Sequence, residues 1–168
     1  MTIQNALLKA IDGLNNSGVD YALAGGFALS AHVEPRSTVD IDILIFGGLD
    51  SLEGALASVF ASVYRNLESM EYPLVTVHRF LVMEGEEEFV IDALVPNEDS
   101  FADEAAGHTE RVELFGRTLR ICGPDLLYVL KRASDRPRDH LDAEDLQRAA
   151  NARMDRSFVN RWTPDPGS

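Results

Sequence analysis

The chain has 168 residues and 45% of them are hydrophobic, which fits one domain with a real core and excludes wholesale disorder. A net charge of −13 argues against nonspecific binding to nucleic acid or anionic membrane. The single cysteine, Cys122, excludes an internal disulfide, and runs such as FVIDALV are too short to cross a bilayer. The N-terminal residues read as a helix rather than a signal peptide, so a cytoplasmic location is expected. The charge is unevenly spread: residues 1–130 hold 7 Lys and Arg against 21 Asp and Glu, and residues 131–168 hold 8 against 7. The arginine-rich C-terminal part reads as a solvated, ion-paired helical surface, with a few cations available to a phosphate-bearing ligand.

In chain order, Ile3, Leu7, Ile11 and Leu14 at helical spacing predict a helix over 3–16 that Gly18 can end. VDYALAG reads as a short strand, GGFALSAHV as a short helix opening at the glycines, and EPRST as a loop. VDIDILIF alternates, with Ile41 and Ile43 on one face and Asp40, Asp42 and Leu44 on the other. Asp50 and Ser51 predict the cap of a helix running to about Leu67, its stripe formed by Leu52, Leu56, Phe60 and Val63. LVTVHRFLVM and FVIDALV, joined by an acidic turn, predict a hairpin, and ERVELFG with RTLRICG a second one turning at Gly116. A helix starts at Pro124, a break follows at SDRPR, and a further helix runs from about Arg138 to Ala152. The stretch RWTPDPGS is expected to fray.

Asp40 and Asp42 are two apart on a strand, so both carboxylates leave the same face. Side by side they repel, and such a pair titrates upward or binds a cation. Oxygen-only ligation suits Mg²⁺ or Mn²⁺, which take carboxylates, waters and substrate phosphates. Asp92 interrupts an apolar strand and needs a partner; a neighbouring strand can bring it beside Asp40 and Asp42. Three carboxylates can hold two divalent ions. Gly25 and Gly26 follow a strand, where backbone N–H groups can meet a phosphate. Taken singly, a D-x-D is more often a solvated strand edge and a glycine pair a plain tight turn. The four histidines, His32, His78, His108 and His140, show no metal spacing, and Cys122 reads as a small packing residue.

The combined segment LAGGFALSAHVEPRSTVDIDILI resembles the signature of the nucleotidyltransferase superfamily: a glycine pair, a short helix, and an apolar-Asp-apolar-Asp strand. The form with an arginine, a threonine and DID is most similar to the AbiEii-type nucleotidyltransferases, often the toxin halves of toxin–antitoxin pairs. LLYVLKRASDRPRDHLDAEDL resembles the helical element of that branch, so the resemblance covers roughly residues 20–146.

The resemblance implies an α/β (α+β) nucleotidyltransferase fold, a mixed β-sheet flanked by helices. Residues 1–122 would form the core and residues 123–162 a C-terminal helical element packed on it as a single compact unit. It implies Asp40, Asp42 and Asp92 as catalytic residues and metal ligands, with Asp92 also placed to act as general base. It implies Gly25, Gly26, Arg36, Thr38 and Lys131 as nucleotide-binding residues, and Asp139 and Asp142 as a late acidic pair. Phe27 stands where many relatives carry a small hydroxyl residue on phosphate, and Ser30, one helical turn on, is the substitute. Simple i,i+4 pairing of Lys131 with Asp135 and of Arg138 with Asp142 is the plainer alternative.

The implied activity is Mg²⁺- or Mn²⁺-dependent transfer of an NMP group from an NTP to a hydroxyl of a protein, RNA or small molecule. A toxin–antitoxin role, with a cognate partner protein, goes with it. Two other readings stay open. One is a non-catalytic member serving a two-protein regulatory module. The other is an antibiotic (lincosamide or aminoglycoside) nucleotidyltransferase, since small enzymes of that kind also carry a GG…R…DIDI segment and an acidic body suits a cationic drug better than tRNA.

Overall fold

The computed structural model describes residues 1–165. Its elements are α1 (Ile3–Asn16), β1 (Tyr21–Leu23), α2 (Gly25–Leu29), β2 (Asp40–Ile45), α3 (Leu49–Ala57), β3 (Ser62–Glu71), β4 (Val75–Glu84), β5 (Glu87–Pro96), α4 (Asp99–Ala105), β6 (Thr109–Leu114), β7 (Arg117–Cys122), α5 (Pro124–Arg132), α6 (Pro137–Ala150), a 3₁₀ turn (Asn151–Arg153) and α7 (Arg156–Trp162). The strands form one seven-stranded mixed sheet in the order β3-β4-β5-β2-β1-β7-β6. β2 lies at its centre, parallel to β5 and antiparallel to β1, while β1 runs parallel to β7. Ile41, Ile43, Leu44 and Ile45 are all fully buried, as a strand covered on both faces demands.

α1 starts at Thr2, whose side chain accepts from the Asn5 N–H. It buries Leu7, Ile11 and Leu14. Gly13 lets α1 lie close on α3, because a Cβ there would stand 2.7 Å from the Ala55 carbonyl oxygen. Both expected hairpins form. β4 and β5 pair from Val75↔Pro96 to Glu84↔Glu87 around Gly85, whose φ is +63°. β6 and β7 turn at Phe115 and Gly116, both at positive φ (53° and 75°), as a tight hairpin with the strands' own twist requires.

Three stretches differ from the expected elements. The helix expected to be capped by Asp50 and Ser51 starts instead at Leu49 with Gly48 as its N-cap, so Asp50 lies in its first turn; it ends at Ala57 instead of reaching Leu67, and residues 62–71 are strand β3 on the edge of the sheet. Leu52, Leu56 and Phe60 do face the core, but Leu67 is 92% exposed. The pairing of β3 with β4, starting at Ser62↔Met83, outweighs a helical periodicity that has nothing left to bury. The short α4 was not expected; it buries only Phe101 and Ala105, too few positions to show a period. The segment expected to fray is helical through Trp162, because Asp155 caps α7 and Phe158 is buried. Residues 166–168 of that segment lie outside the described residues.

Candidate active site

Asp40 and Asp42 project from the same face of β2, and both are half-buried. The parallel register pairs Asp42 with Asp92 on β5. The antiparallel register of the neighbouring hairpin pairs Asp92 with Arg79 on β4. Three strands thus bring three carboxylates and one guanidinium to one patch.

Gly25 closes over this patch. The turn from β1 into α2 is tied to β2 by the Ala24 N–H, which donates to the Asp42 carbonyl at 2.8 Å. Gly25 has φ +60°, and a Cβ on it would fall 1.9 Å from Asp42 Oδ2. Only glycine leaves that carboxylate its place. Gly26 does the same for Thr38, whose Oγ1 would stand 2.5 Å from an added Cβ. Ser30 is spent elsewhere: its hydroxyl donates to the Gly26 carbonyl at 2.8 Å, within its own helix, and it lines neither part of the cleft. Phe27 is buried edge-to-face on Phe115.

The carboxylates differ sharply in their surroundings. Among the described residues no group donates a hydrogen bond to the Asp42 side chain, and its pKa is pushed up to about 7, first by burial and then by the nearby charge of Asp92. Asp92, by contrast, receives two bonds from Arg79, Nε to Oδ1 and Nη2 to Oδ2, both at 2.9 Å. Arg79 also stands 3.9 Å from Asp40. Its own pKa is raised, mainly by the bonds to Asp92. The three-carboxylate metal cluster expected from the residue types is therefore not assembled, because the guanidinium holds both oxygens of the third member. Accordingly, among the described residues no group of three His, Cys, Asp or Glu side chains is arranged to hold a metal ion. Asp40 and Asp42 alone do suit one divalent cation: a donor-free, destabilised carboxylate beside a second one, in a space that glycine keeps open.

The cations expected to meet a triphosphate are held by α6. Lys131 Nζ donates to Asp139 (2.9 Å) and Asp142 (3.0 Å). Arg36 clamps Asp142 with two bonds of 2.5 and 2.7 Å. Arg136 and Ser134 both donate to Asp139. The plain i,i+4 pairs of Lys131 with Asp135 and Arg138 with Asp142 are thus replaced by longer-range ones. Burial disfavours charge on Asp139 and Asp142, yet Lys131 and Ser134 on the one, and Arg36 and Lys131 on the other, outweigh it and hold both pKa values low.

The cleft over these residues has two parts that share Asp42, Lys131, Arg136 and Asp139. One, of about 160 Å³, is polar and lined by Gly26, Arg36, Thr38, Asp40 and Arg138. The other, of about 200 Å³, has apolar walls from Tyr72, Val75, Val77, Leu94, Leu127 and Leu130. Arg79, Arg136 and the apolar wall escaped sequence reasoning. Arg79 was within reach, since a hairpin turning at 85–86 places 79 opposite 92.

A central D-x-D strand, a glycine turn over it, a third acid on the adjacent parallel strand and a helix lysine define a nucleotidyltransferase-fold protein. Structural comparison agrees. The chain superposes on ANT(2″)-Ia in complex with adenylyl-2″-tobramycin with TM-score 0.62 at 19% identity, covering 96% of this chain and 95% of that one. It superposes on JHP933 from Helicobacter pylori with TM-score 0.57 at 13% identity, covering 94% and 70%. For TM1012 from Thermotoga maritima the TM-score is 0.54 at 14% identity, covering 94% and 92%. At these identities the likeness is one of fold. No curated protein matches the chain. Residues 6–107 match the family model described as "Nucleotidyl transferase AbiEii toxin, Type IV TA system". The chain belongs to the AbiEii nucleotidyltransferase family, and so to a class of enzymes.

Proposed function

We propose that this protein transfers an NMP group from an NTP to a hydroxyl of a protein, RNA or small molecule, using Mg²⁺ or Mn²⁺. The observation that carries the reading is Asp42: a half-buried carboxylate with no hydrogen-bond donor among the described residues, set beside Asp40 and under the missing Cβ of Gly25. Asp40 and Asp42 would hold the divalent ion, which supplies Lewis-acid stabilisation of charge on the phosphoryl oxygens. Gly25, Gly26 and Thr38 line the polar part of the cleft or border it, where backbone N–H groups and a hydroxyl can take phosphate oxygens. Lys131 and Arg136 neutralise the triphosphate from the α5–α6 side; Arg36 contributes from the rim.

Transfer forms a bond from the acceptor oxygen to the α-phosphorus and breaks the bond to the β-phosphate bridge oxygen; pyrophosphate leaves. Asp92 takes the acceptor proton on a lone pair that Arg79 leaves free. The family supports a place in a two-gene toxin–antitoxin module, with a partner protein in the cytoplasm. The complex of ANT(2″)-Ia with adenylyl-2″-tobramycin keeps an aminoglycoside acceptor in view, but the apolar wall and the cations of this cleft do not suit a polycation.

Incubation with each α-³²P-labelled NTP, Mg²⁺ and either cell extract or total RNA tests the proposal. Label should move to one acceptor class and stay free with Asp40→Ala. Absence of transfer under every condition would leave a non-catalytic module component.

A further inference from the structure

Resting on that reading, we infer that Arg79 fills the second cation position of the site, so that the protein works with a single divalent ion on Asp40 and Asp42. The geometry is specific. Arg79 meets Asp92 through two parallel bonds of 2.9 Å, the fork-on-carboxylate arrangement that uses both oxygens. Its Nη2 also stands 3.9 Å from Asp40 Oδ2. The guanidinium therefore spans the space between Asp92 and Asp40 and takes both Asp92 oxygens, which a second ion held by the third carboxylate would need.

Backbone pairing places these residues side by side. Arg79 and Asp92 are direct partners in the β4–β5 ladder, and Asp92 is a direct partner of Asp42. The three positions stand in one row across three strands, and no loop movement removes Arg79 from it. Charge agrees as well. With Asp42 ionised the three carboxylates carry −3, and Arg79 with one divalent ion brings +3. A second divalent ion would add two positive charges beside a guanidinium that cannot lose its proton. Arg79 is a positioning residue here. It orients the Asp92 carboxylate and supplies the fixed positive charge on the acceptor side.

Mn²⁺ titration of the full chain, followed by electron paramagnetic resonance and by calorimetry, reads the number of ions directly. The wild type should bind one Mn²⁺ per chain. Arg79→Met should bind two, Arg79→Lys one, and the double variant Arg79→Met with Asp92→Asn one again. Circular dichroism checks that each variant is folded; the wild-type count stands as a test even where a variant is not. Two ions on the wild type, or a single ion on folded Arg79→Met, would overturn the inference and leave the proposed activity standing. No Mn²⁺ on wild type or variants would overturn the metal-dependent activity and this inference together.

Discussion

Asp42 is the residue on which the site's chemistry and its stability meet. Its pKa is raised to about 7, above the ordinary carboxylate value, chiefly by burial. The folded chain therefore keeps a proton on Asp42 that the unfolded chain has already lost. The sign follows: this group favours the fold at low pH, and the benefit disappears as pH rises from about 4 to about 7. Above pH 7 the charged carboxylate is a cost that a bound cation relieves. Asp42→Asn is accordingly expected to raise the stability of the metal-free protein at pH 8 by about 1–3 kcal/mol while leaving it unchanged at pH 4. Urea unfolding at the two pH values in EDTA measures this. The Mg²⁺-induced rise in Tm of the wild type should grow between pH 5.5 and pH 8 and vanish in the variant. Equal destabilisation at both pH values would show Asp42 to be an ordinary structural carboxylate.

Among the elements, α6 decides the behaviour of the cations. Its first turns deliver Asp139 and Asp142, each under 10% exposed, to Lys131 on α5 and Arg36 in the loop before β2. Two acids shared by three cations fix the ammonium of Lys131 near Asp42 instead of leaving it on a flexible stem. Removing Asp142 frees Arg36 and leaves the buried Lys131 with one acid instead of two. Asp142→Ala is expected to cost about 3 kcal/mol, the lower end for a broken buried pair because Arg36 is partly exposed. The loss should be about half as large in Arg36→Ala, since Lys131 then keeps both acids. Chemical denaturation of the two single variants and the double variant gives the coupling, and additive losses would show the clamp to be two independent contacts. The hairpins were legible because turn chemistry is local: Gly85 and Gly116 each mark their turn. The end of α3 is not legible in the periodicity, because Val63 fits a helix stripe and an edge strand equally well and only the partner strand β4 separates the two.

At the scale of the whole molecule, α7 reaches back to α4 and to the residue that precedes β6. Phe158 stacks on His108 with ring centroids 3.9 Å apart, and His108 Nδ1 meets Asp125 at 2.8 Å. Trp162 packs on Phe101 and its indole N–H donates to Glu104 at 2.7 Å. We propose on this basis that residues 1–122 and 123–162 unfold as one cooperative unit. Trp162 is the only tryptophan of the chain and sits against α4, so its fluorescence reports the docking of the C-terminal helices on the core while far-UV circular dichroism reports the whole. The two melting curves should coincide, and Phe158→Ala should lower both together, by about 3–5 kcal/mol in stability. An earlier fluorescence transition would show the helices to be a separate unit.

The sequence by itself determined the D-x-D strand, the glycine turn and the family. Each depends on spacings of two or about three and a half residues, or on a turn residue, and such signals are complete within a short window. Tertiary structure alone decided that Arg79 takes both oxygens of Asp92 and that Lys131 pairs with α6 instead of Asp135. It also decided that Ser30 spends its hydroxyl on its own helix. Those outcomes depend on register across several strands and on which helix covers which charge. A buried charge accepts the best partner in space, wherever that partner falls in the chain.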